Sequence, residues 1–319
     1  MSGIKVAVTG AGGYIASELV RQLLVKGYQV HGTVRDPKSD KYQHLKELVP
    51  DAKYPLKLFA ADLLEEGSFK EAFDGVKVVY HTASPFQQKV DNPQKDLVDP
   101  ALKGTLNVLK SAKESGVNRV VLTASVATII NASKKNYNFT DKDWNEEATI
   151  ESAPYPFSKV KAERAAWDYV KDNGINLTTI HPGFVLGPVN SDRVDATSVK
   201  TVAGLLNGEM KDGARDFVAP MSDVRDIAEA HILASEKDES IGKRYIVASE
   251  QTYSLLDLSA ILKKKYPDAA LPTTGEQTKK GNTFDSGLAK KDLGMELKPV
   301  ETSVLDFAES LIKVGIVKL

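Results

Sequence analysis

Residues 6–20 read VAVTGAGGYIASELV, and this stretch decides the fold. The apolar run from Ile4 to Thr9 ends in glycines, which is the pattern of a short buried strand. From Tyr14 to Lys26 apolar residues recur at helical spacing, and Gly27 follows the last of them. A strand, a glycine-rich turn and a helix in this order predict the first unit of a parallel α/β sheet.

The alternation of strand and helix patterns continues to about residue 182. Strands separated by helices indicate a parallel sheet covered on both faces, so we predict an α/β, doubly wound Rossmann fold. Ligands of such folds bind where the carboxyl ends of the strands meet. Further strands are predicted at residues 28–35, 56–61, 76–81, 119–124 and 176–181, and long helices at 98–115 and 155–171.

After Pro188 the pattern becomes less regular. A helix is predicted at 224–236 and a strand at 244–248, and residues 250–319 mix helices with loops. We therefore predict a dinucleotide-binding domain over residues 1–188, to which part of 220–250 returns. Residues 189–319 are predicted to form a smaller, discontinuous substrate-binding lobe at the C-terminal side.

Composition and charge exclude several classes of protein. Lys and Arg number 42 against 43 Asp and Glu, so the net charge of −1 favours neither nucleic acid nor membrane as a partner. The 319 residues include no cysteine, and the five histidines show no metal-binding spacing. The sequence shows neither a signal-peptide pattern nor an apolar run of about 18 residues. We expect a cytoplasmic protein without a metal, either monomer or homodimer, that acts on a small molecule.

The glycine-rich turn is a candidate phosphate-binding loop. Gly10, Gly13 and Ala16 have the spacing G-x-x-G-x-x-A. Glycines at the first two positions let the backbone approach a pyrophosphate, and the following helix N-terminus attracts its charge. Because this loop follows a strand and opens a helix, it predicts a dinucleotide cofactor.

The end of the second predicted strand indicates which dinucleotide. Arg35 stands there, 25 residues after Gly10. An arginine at this position pairs with the 2′-phosphate of NADP, whereas an acid would bind the 2′-hydroxyl of NAD. Lys41 adds positive charge, but Asp36 is an alternative that favours NAD. We predict NADP(H) from Arg35.

Tyr155 and Lys159 are the candidate chemical pair. They are four residues apart on a predicted helix and so share one of its faces. An ammonium beside a phenol lowers the phenol pKa from about 10. Such a tyrosine exchanges a proton with a carbonyl or an alcohol. Ser125, which closes the fifth strand, can bond the substrate oxygen, and Thr123 is a competing candidate on the same strand face.

These residues resemble the extended short-chain dehydrogenase/reductase family. The resemblance is closest to the branch of dihydroflavonol reductases, cinnamoyl-CoA reductases and fungal-type ketone and aldehyde reductases. The cinnamoyl-CoA reductase signature N-W-Y-C-Y-G-K is replaced by APYPFSK at 153–159, which argues against a CoA thioester substrate. The stretches that carry the resemblance lie within residues 6–231 and read VTGAGGYIASELV, TVRDP, ADL, YHTASPF, LTASVAT, YPFSKVKAE, HPGFVLGP and SDVRDIAEAH.

The resemblance implies a role for each matching residue. The catalytic residues are Ser125, Tyr155 and Lys159. The cofactor is held by Gly10, Gly13, Tyr14, Ile15, Arg35, Lys41, Asp62, Leu63, Thr82, Ala83, Ser84, Tyr155, Lys159, Pro182, Val185 and Ser198. The substrate pocket is expected at Ser84, Phe86, Val126 and Phe184. For the fourth catalytic residue of related enzymes, only Asn107 lies on a suitable helix, and its register is poor. Asp62, read without the resemblance, is equally suited to cap the next helix.

We therefore expect an NADPH-dependent carbonyl reductase that converts a ketone or aldehyde to an alcohol, with Tyr155 as proton donor. One alternative is an NAD-dependent nucleotide-sugar epimerase on the same fold. Arg35 and the YHTASPF stretch argue against it. A second alternative is a non-catalytic regulator that senses NADP(H), which has no need for Ser125, Tyr155 and Lys159 together.

Overall fold

A computed structural model describes residues 3–84, 90–276 and 280–319. Its strands are β1 (Lys5–Thr9), β2 (Gln29–Val34), β3 (Lys57–Ala60), β4 (Val78–His81), β5 (Arg119–Thr123), β6 (Asn138–Phe139), β7 (Asn176–Pro182), β8 (Phe184–Leu186), β9 (Val218–Asp223), β10 (Arg244–Val247), β11 (Thr252–Ser254) and β12 (Thr283–Phe284). Its α-helices are α1 (Tyr14–Val25), α2 (Gln43–Lys46), α3 (Lys70–Phe73), α4 (Asp99–Glu114), α5 (Pro154–Lys171), α6 (Thr197–Leu206), α7 (Val224–Glu236), α8 (Leu255–Lys265) and α9 (Val300–Lys313).

The central sheet is parallel throughout. Among the described residues it has seven strands in the order β10-β7-β5-β4-β1-β2-β3. The chain winds outward in one direction from β1 to β3 and in the other from β4 to β10, so the strand order reverses between β1 and β4. Ligands bind at that reversal point in doubly wound sheets. The predicted α/β Rossmann fold is confirmed.

Burial on both faces explains why the strands read as apolar runs without alternation. In β1, Val6, Ala7 and Val8 are all fully buried. Helices α1 and α7 pack in the core on one face of the sheet, and α4 and α5 in the core on the other. None of the helices that the structure describes combines the length and the apolar character needed to cross a bilayer.

A second core lies beside the sheet. Strands β11, β9 and β8 form a three-stranded sheet in that order, and α6, α8 and α9 contribute to the apolar cluster that it shares. None of these three strands was predicted. For β8 and β11 the reason is that they have only three residues each, too few to show a periodic pattern. The division into two domains at residue 188 stays a prediction.

The turn from β7 into β8 depends on Gly183. A Cβ at this position would lie 2.2 Å from the carbonyl oxygen of Pro220, so no other residue fits without a backbone shift. The Gly183 amide also donates to Oγ of Ser222 at 2.8 Å. This close approach brings β8 against β9 directly beyond the carboxyl end of β7.

The outer strand β10 is held to the rest of the molecule by a buried ion pair. Nε of Arg244 donates to Oε1 of Glu163 at 2.8 Å, and both residues are buried. The guanidinium lies 3.9 Å from the ring centre of Trp144. Glu163 also accepts from Nε2 of His181 at 2.9 Å. These contacts join β10, α5, β7 and the loop before α5.

Candidate active site

The glycine-rich loop is shaped for close approach of a ligand. Gly10 has φ +67°, and a Cβ there would lie 3.0 Å from Cβ of Ala83. Helix α1 starts directly after Gly13 without a side-chain cap and without an acid in its first turn. Its first amides have no partner inside the helix and face outward from its N-terminus. This donor set fits an anionic pyrophosphate.

The end of β4 is docked onto this loop by hydrogen bonds. Oγ1 of Thr82 donates to the Thr9 carbonyl at 2.5 Å, and the Ala83 amide donates to Oγ1 of Thr9 at 3.1 Å. Nδ1 of His81 bonds the same hydroxyl at 2.9 Å. Burial and the charge of Lys159 lower the pKa of His81 to about 3, so its ring is neutral. Two predicted cofactor residues, Thr82 and Ala83, thus lie beside Gly10.

Ser84 and Lys159 meet at the carboxyl end of β4. Nζ of Lys159 donates to Oγ of Ser84 at 2.6 Å. The same Nζ lies 5.7 Å from the ring centre of Tyr155, so the two residues share one side of α5 as predicted. Ser84 and Lys159 also border one small cavity together with Ala83 and Leu63. Four predicted residues from three separate parts of the chain therefore converge.

Ser125 completes the group with Tyr155. It follows β5, and its Oγ accepts from the Ala127 amide at 3.1 Å, which fixes its rotamer. A hydrogen bond from Ser125 to the phenol lowers the pKa of Tyr155, but burial in the cleft raises it more, and the net pKa is above its usual value. The phenol nevertheless keeps an open side, since 38% of the Tyr155 surface is exposed.

The prediction that Lys159 depresses the phenol pKa is wrong in this structure. The pKa of Tyr155 is raised, and Lys159 is not among the causes that act on it. The physical reason is that the ammonium bonds Ser84 and is itself desolvated. Burial lowers the pKa of Lys159 to about 8. The two groups are neighbours, but desolvation of each outweighs their interaction.

Thr123, the competing candidate, is engaged elsewhere. Its hydroxyl bonds Nε2 of His231 at 2.7 Å, and Nδ1 of His231 bonds the Ile227 carbonyl at 2.7 Å. His231 is fully buried, and burial lowers its pKa to about 4. The Thr123 side chain therefore anchors α7 to β5, whereas Ser125 contacts Tyr155.

The loop after β3 holds the residues expected at adenine. Oδ1 of Asp62 accepts from the Leu64 amide at 2.8 Å in a turn. Asp62 does not cap the next helix, because α3 begins at Lys70 and its N-cap is Phe69. Asn107 of α4 donates to the carbonyls of Leu63 and Glu65, both at 3.0 Å. Its amide nitrogen supports this loop, so nothing in its contacts connects it with the Tyr155 group.

The residues expected at the 2′-phosphate lie on the surface after β2. Arg35 is exposed, and its guanidinium has no hydrogen-bond or ion-pair partner within residues 3–84, 90–276 and 280–319. Asp36 accepts from the Lys38 amide at 3.0 Å, so its carboxylate is used in a turn. Nζ of Lys41 lies 4.8 Å from the ring centre of Tyr42. This arrangement fits an anion better than a ribose hydroxyl.

Tyr14 and Ile15 contribute their backbones to the loop, but their side chains point into the protein. The Tyr14 hydroxyl donates to the Gly187 carbonyl, and its ring stacks on Phe307 at 5.7 Å between centres. Burial raises the pKa of Tyr14 well above its usual value. Ile15 packs against the core under α1, and Ser198 is buried in α6.

The remaining predicted residues lie just after β5 and at the junction of β7 with β8. Pro182 ends β7 and is buried, and Val185 lies half-buried in β8. Phe184 meets Phe217 edge to face at 4.7 Å between ring centres. Val126 is buried in an apolar cluster beside Ser125. Phe86 lies outside the described residues.

Sequence patterns did not identify Phe217 or Arg193. Phe217 belongs to the irregular stretch before β9, where no periodicity marks a pocket residue. Arg193 reaches the glycine loop, where its Nη1 donates to the Gly12 carbonyl at 2.6 Å. The two residues are 181 positions apart in the chain, and the only signal in the sequence was an unassigned cation in a polar segment.

Comparison with known proteins agrees with this geometry. Residues 6–248 match the NAD dependent epimerase/dehydratase family. Cinnamoyl-CoA reductase CAD2 of Medicago truncatula is 41% identical over 321 residues, covering 97% of this chain and 96% of that protein. Tetraketide alpha-pyrone reductase 1 of Arabidopsis thaliana is 37% identical over 322 residues, covering 98% and 96%.

A solved structure is similar over the whole chain. Yeast methylglyoxal/isovaleraldehyde reductase Gre2, crystallised as its NADPH complex, superimposes with a TM-score of 0.85 at 30% identity. The match covers 97% of this chain and 98% of the Gre2 chain. The chain therefore belongs to the NAD dependent epimerase/dehydratase family, in the branch of cinnamoyl-CoA reductases and Gre2-like reductases.

Proposed function

We propose that this protein is an NADPH-dependent carbonyl reductase that converts a ketone or an aldehyde to an alcohol. The observation that carries the proposal is the meeting of Ser84, Ser125, Tyr155 and Lys159 at the carboxyl ends of β4 and β5. This meeting point adjoins the strand reversal, next to the glycine loop. The reductases named above, one of them in complex with NADPH, support the same chemistry.

The residues present fit NADP(H). The uncapped start of α1 suits the pyrophosphate, and the free cation of Arg35 suits the 2′-phosphate. When bound, NADPH supplies the hydride that reaches the carbonyl carbon. We propose that Thr82 and Ala83 line the dinucleotide where it passes Gly10. Lys159, beside Ser84, is proposed to bond the ribose hydroxyls. Pro182 and Val185 are assigned to the nicotinamide, and Asp62 with Leu63 to the adenine.

Tyr155 gives its phenolic proton to the carbonyl oxygen as the alcohol forms. A phenol whose pKa is raised by burial is fully protonated at neutral pH, which is the state a proton donor needs. Ser125 donates a hydrogen bond to the same oxygen and so stabilises the negative charge that develops there.

An aromatic pair just after β7 is our candidate for the substrate side of the site. Phe184 and Phe217 form an edge-to-face pair next to the end of β7. We propose that these rings, with Val126 and Ser84 on the opposite side, select a hydrophobic ketone or aldehyde and leave its carbonyl toward Tyr155. The name of the yeast relative, a reductase of small aldehydes, is consistent with this class.

The proposal is tested by Tyr155→Phe. NADPH consumption should be screened over aldehydes, diketones, flavonoids and keto-esters, and the best substrate used to compare variant with wild type. We expect Tyr155→Phe to lose at least about a hundred-fold in kcat, as removal of a general acid does, while its NADPH dissociation constant stays within about two-fold. Thr123→Val serves as the matched control, because the Thr123 hydroxyl contacts His231 and not the phenol.

Different results would contradict the proposed proton donor, or favour the epimerase or the sensor in place of the reductase. Near-normal turnover by Tyr155→Phe would refute the assigned proton donor. NAD that co-purifies with the protein, together with epimerisation of a sugar nucleotide, would favour the epimerase. NADPH binding without NADPH oxidation by any carbonyl compound of the panel would favour the sensor.

We also propose that the enzyme works in the cytoplasm, as a monomer or homodimer, with neither nucleic acid nor membrane as a partner. The net charge of −1 supports the absence of nucleic acid. Light scattering after gel filtration determines the oligomeric state.

A further inference from the structure

Arg193 brings a positive charge from the segment after β8 to the glycine loop. Nη1 of Arg193 donates to the Gly12 carbonyl at 2.6 Å, and Nη2 pairs with Asp195. A Cβ on Gly12 would lie only 2.8 Å from Nη1. The guanidinium therefore packs directly on the loop, and 29% of its side chain remains exposed.

Two further contacts hold this segment in place. The Tyr14 hydroxyl donates to the Gly187 carbonyl. Nδ2 of Asn190 donates to Oε2 of Glu18 at 3.3 Å. Both contacts tie the stretch of chain just before Arg193 to α1.

The surroundings of Arg193 are those expected for the adenosine side of the cofactor. A Cβ on Gly12 would also lie 2.5 Å from Cε1 of Tyr42, so the ring and the guanidinium flank the same glycine. Lys41 lies over that ring. The Ala11 amide donates to the Thr33 carbonyl at 2.9 Å, which places the loop against β2 just before Arg35. Three cations, Arg35, Lys41 and Arg193, thus border one part of the loop.

His44 provides a second sign of the same positive environment. Its Nε2 is buried and has no hydrogen-bond partner among the residues that the structure describes. Burial lowers the pKa of His44, and the charge of Arg193 lowers it further.

We infer that Arg193 is a further NADP(H)-binding residue, which pairs with the 2′-phosphate of the cofactor next to Arg35 and Lys41. The inference rests on the proposed NADPH-dependent function. A guanidinium has five N–H donors, so the bonds to Gly12 and Asp195 leave others for a phosphate. The pyrophosphate is the less suitable partner, because it is expected at the amides after Gly13, whereas Arg193 lies on Gly12 beside Tyr42.

This assignment links the second core to cofactor choice. Arg35 and Lys41 come from the chain just after β2, whereas Arg193 comes from beyond β8. A 2′-phosphate bound by all three would join the two parts of the molecule across the cleft. NAD lacks the 2′-phosphate and so could not form these ion pairs.

The test compares ligands that differ in the 2′-phosphate. Dissociation constants for NADP+, NAD+ and 2′,5′-ADP should be measured calorimetrically with wild type, Arg193→Ala and Arg193→Lys. Arg215→Ala is the matched control, since Arg215 lies in the same region and bonds Thr201. We expect Arg193→Ala to weaken NADP+ and 2′,5′-ADP by about ten-fold or more, the worth of one charge-assisted bond, and to leave NAD+ unchanged. Arg193→Lys should lose less, and Arg215→Ala nothing.

Thermal unfolding followed by circular dichroism, together with the dissociation constant for NAD+, distinguishes a misfolded variant from one that has lost a single contact. An equal loss for NADP+ and NAD+ overturns the inference, because it assigns Arg193 to the shape of the loop or to the pyrophosphate. Unchanged NADP+ binding in Arg193→Ala overturns it as well. A wild-type protein that shows no preference for NADP+ refutes the proposed cofactor itself, whereas a preference that is undiminished in Arg193→Ala refutes this inference alone.

Discussion

Two hydroxyl side chains at the end of β5 have different hydrogen-bond partners, and so only one of them is free to contact a substrate. Thr123 and Ser125 both stand at the end of the strand, and from the sequence either could have met the substrate. The Thr123 hydroxyl is bonded to His231 and is therefore not available to a substrate. The Ser125 hydroxyl contacts Tyr155 and remains the candidate. The sequence left both hydroxyls open as candidates, and the choice between them depends on a histidine 108 positions away from Thr123.

The ionisation of Lys159 gives a pH dependence. Burial disfavours the ammonium, so the pKa of Lys159 falls to about 8; the charged form dominates below that pH and is lost above it. We predict that NADPH affinity declines between pH 7 and pH 9 with a midpoint near the Lys159 pKa, because the uncharged amine binds the ribose less strongly. Fluorescence titration of NADPH over this range measures it.

Lys159→Arg is the companion variant, since a guanidinium stays charged throughout the range. Its affinity should be lower than that of wild type, but it should vary little with pH. A flat wild-type profile, or the same decline in both proteins, would contradict the assignment of the pH dependence to Lys159.

Long elements were readable from the chain, and short ones were not. The buried runs of β1 and β5 and the periodic apolar face of α1 have signals several residues long. Strands β8 and β11 have three residues each, and their pairing with β9 comes from tertiary contact. The pattern at 244–248 predicted a strand, and β10 lies there. Its pairing with β7 was not predictable from that pattern, because it depends on how the whole sheet assembles.

The turn from β7 to β8 offers a sharp test of packing. We predict that Gly183→Ala destabilises the protein by about 3 kcal/mol, because its Cβ would meet the backbone of Pro220, which cannot move aside as a flexible side chain does. Urea unfolding followed by circular dichroism gives the free energy of unfolding.

The control for this turn is Gly213→Ala, at a glycine with ordinary φ whose nearest added contact is 3.9 Å away. Its free energy of unfolding should stay within about 1 kcal/mol of wild type. Equal stabilities for the two variants would mean that the close approach of Gly183 to Pro220 does not exist in solution.

The edge strand of the sheet is joined to a covering helix by a buried ion pair. Arg244 in β10 pairs with Glu163 in α5, and their side chains are only 10% and 2% exposed. Sequence analysis left both residues unassigned, because an arginine in a strand and a glutamate in a helix carry no sign of their partner. Their pairing follows only once β10 lies next to β7.

We predict that Arg244→Ala lowers the free energy of unfolding by about 3–5 kcal/mol, since it leaves the Glu163 carboxylate buried without its arginine partner. Arg164→Ala is a close control. Arg164 also lies over Trp144, at 4.9 Å, but its ion pair with Glu146 is exposed. We expect that variant to lose at most about 1 kcal/mol. Similar losses in both would show that the Trp144 ring contact, and not the buried carboxylate, determines stability.

Tyr14 serves two unrelated tasks at one position, because its amide belongs to the phosphate-binding turn while its ring rests on Phe307 near the end of the chain. Chimeras that splice the first half of this enzyme onto the last part of another reductase must therefore supply a flat aromatic neighbour and an acceptor for the Tyr14 hydroxyl. Without them the splice would weaken dinucleotide affinity through a residue that no sequence motif ties to the exchanged segment.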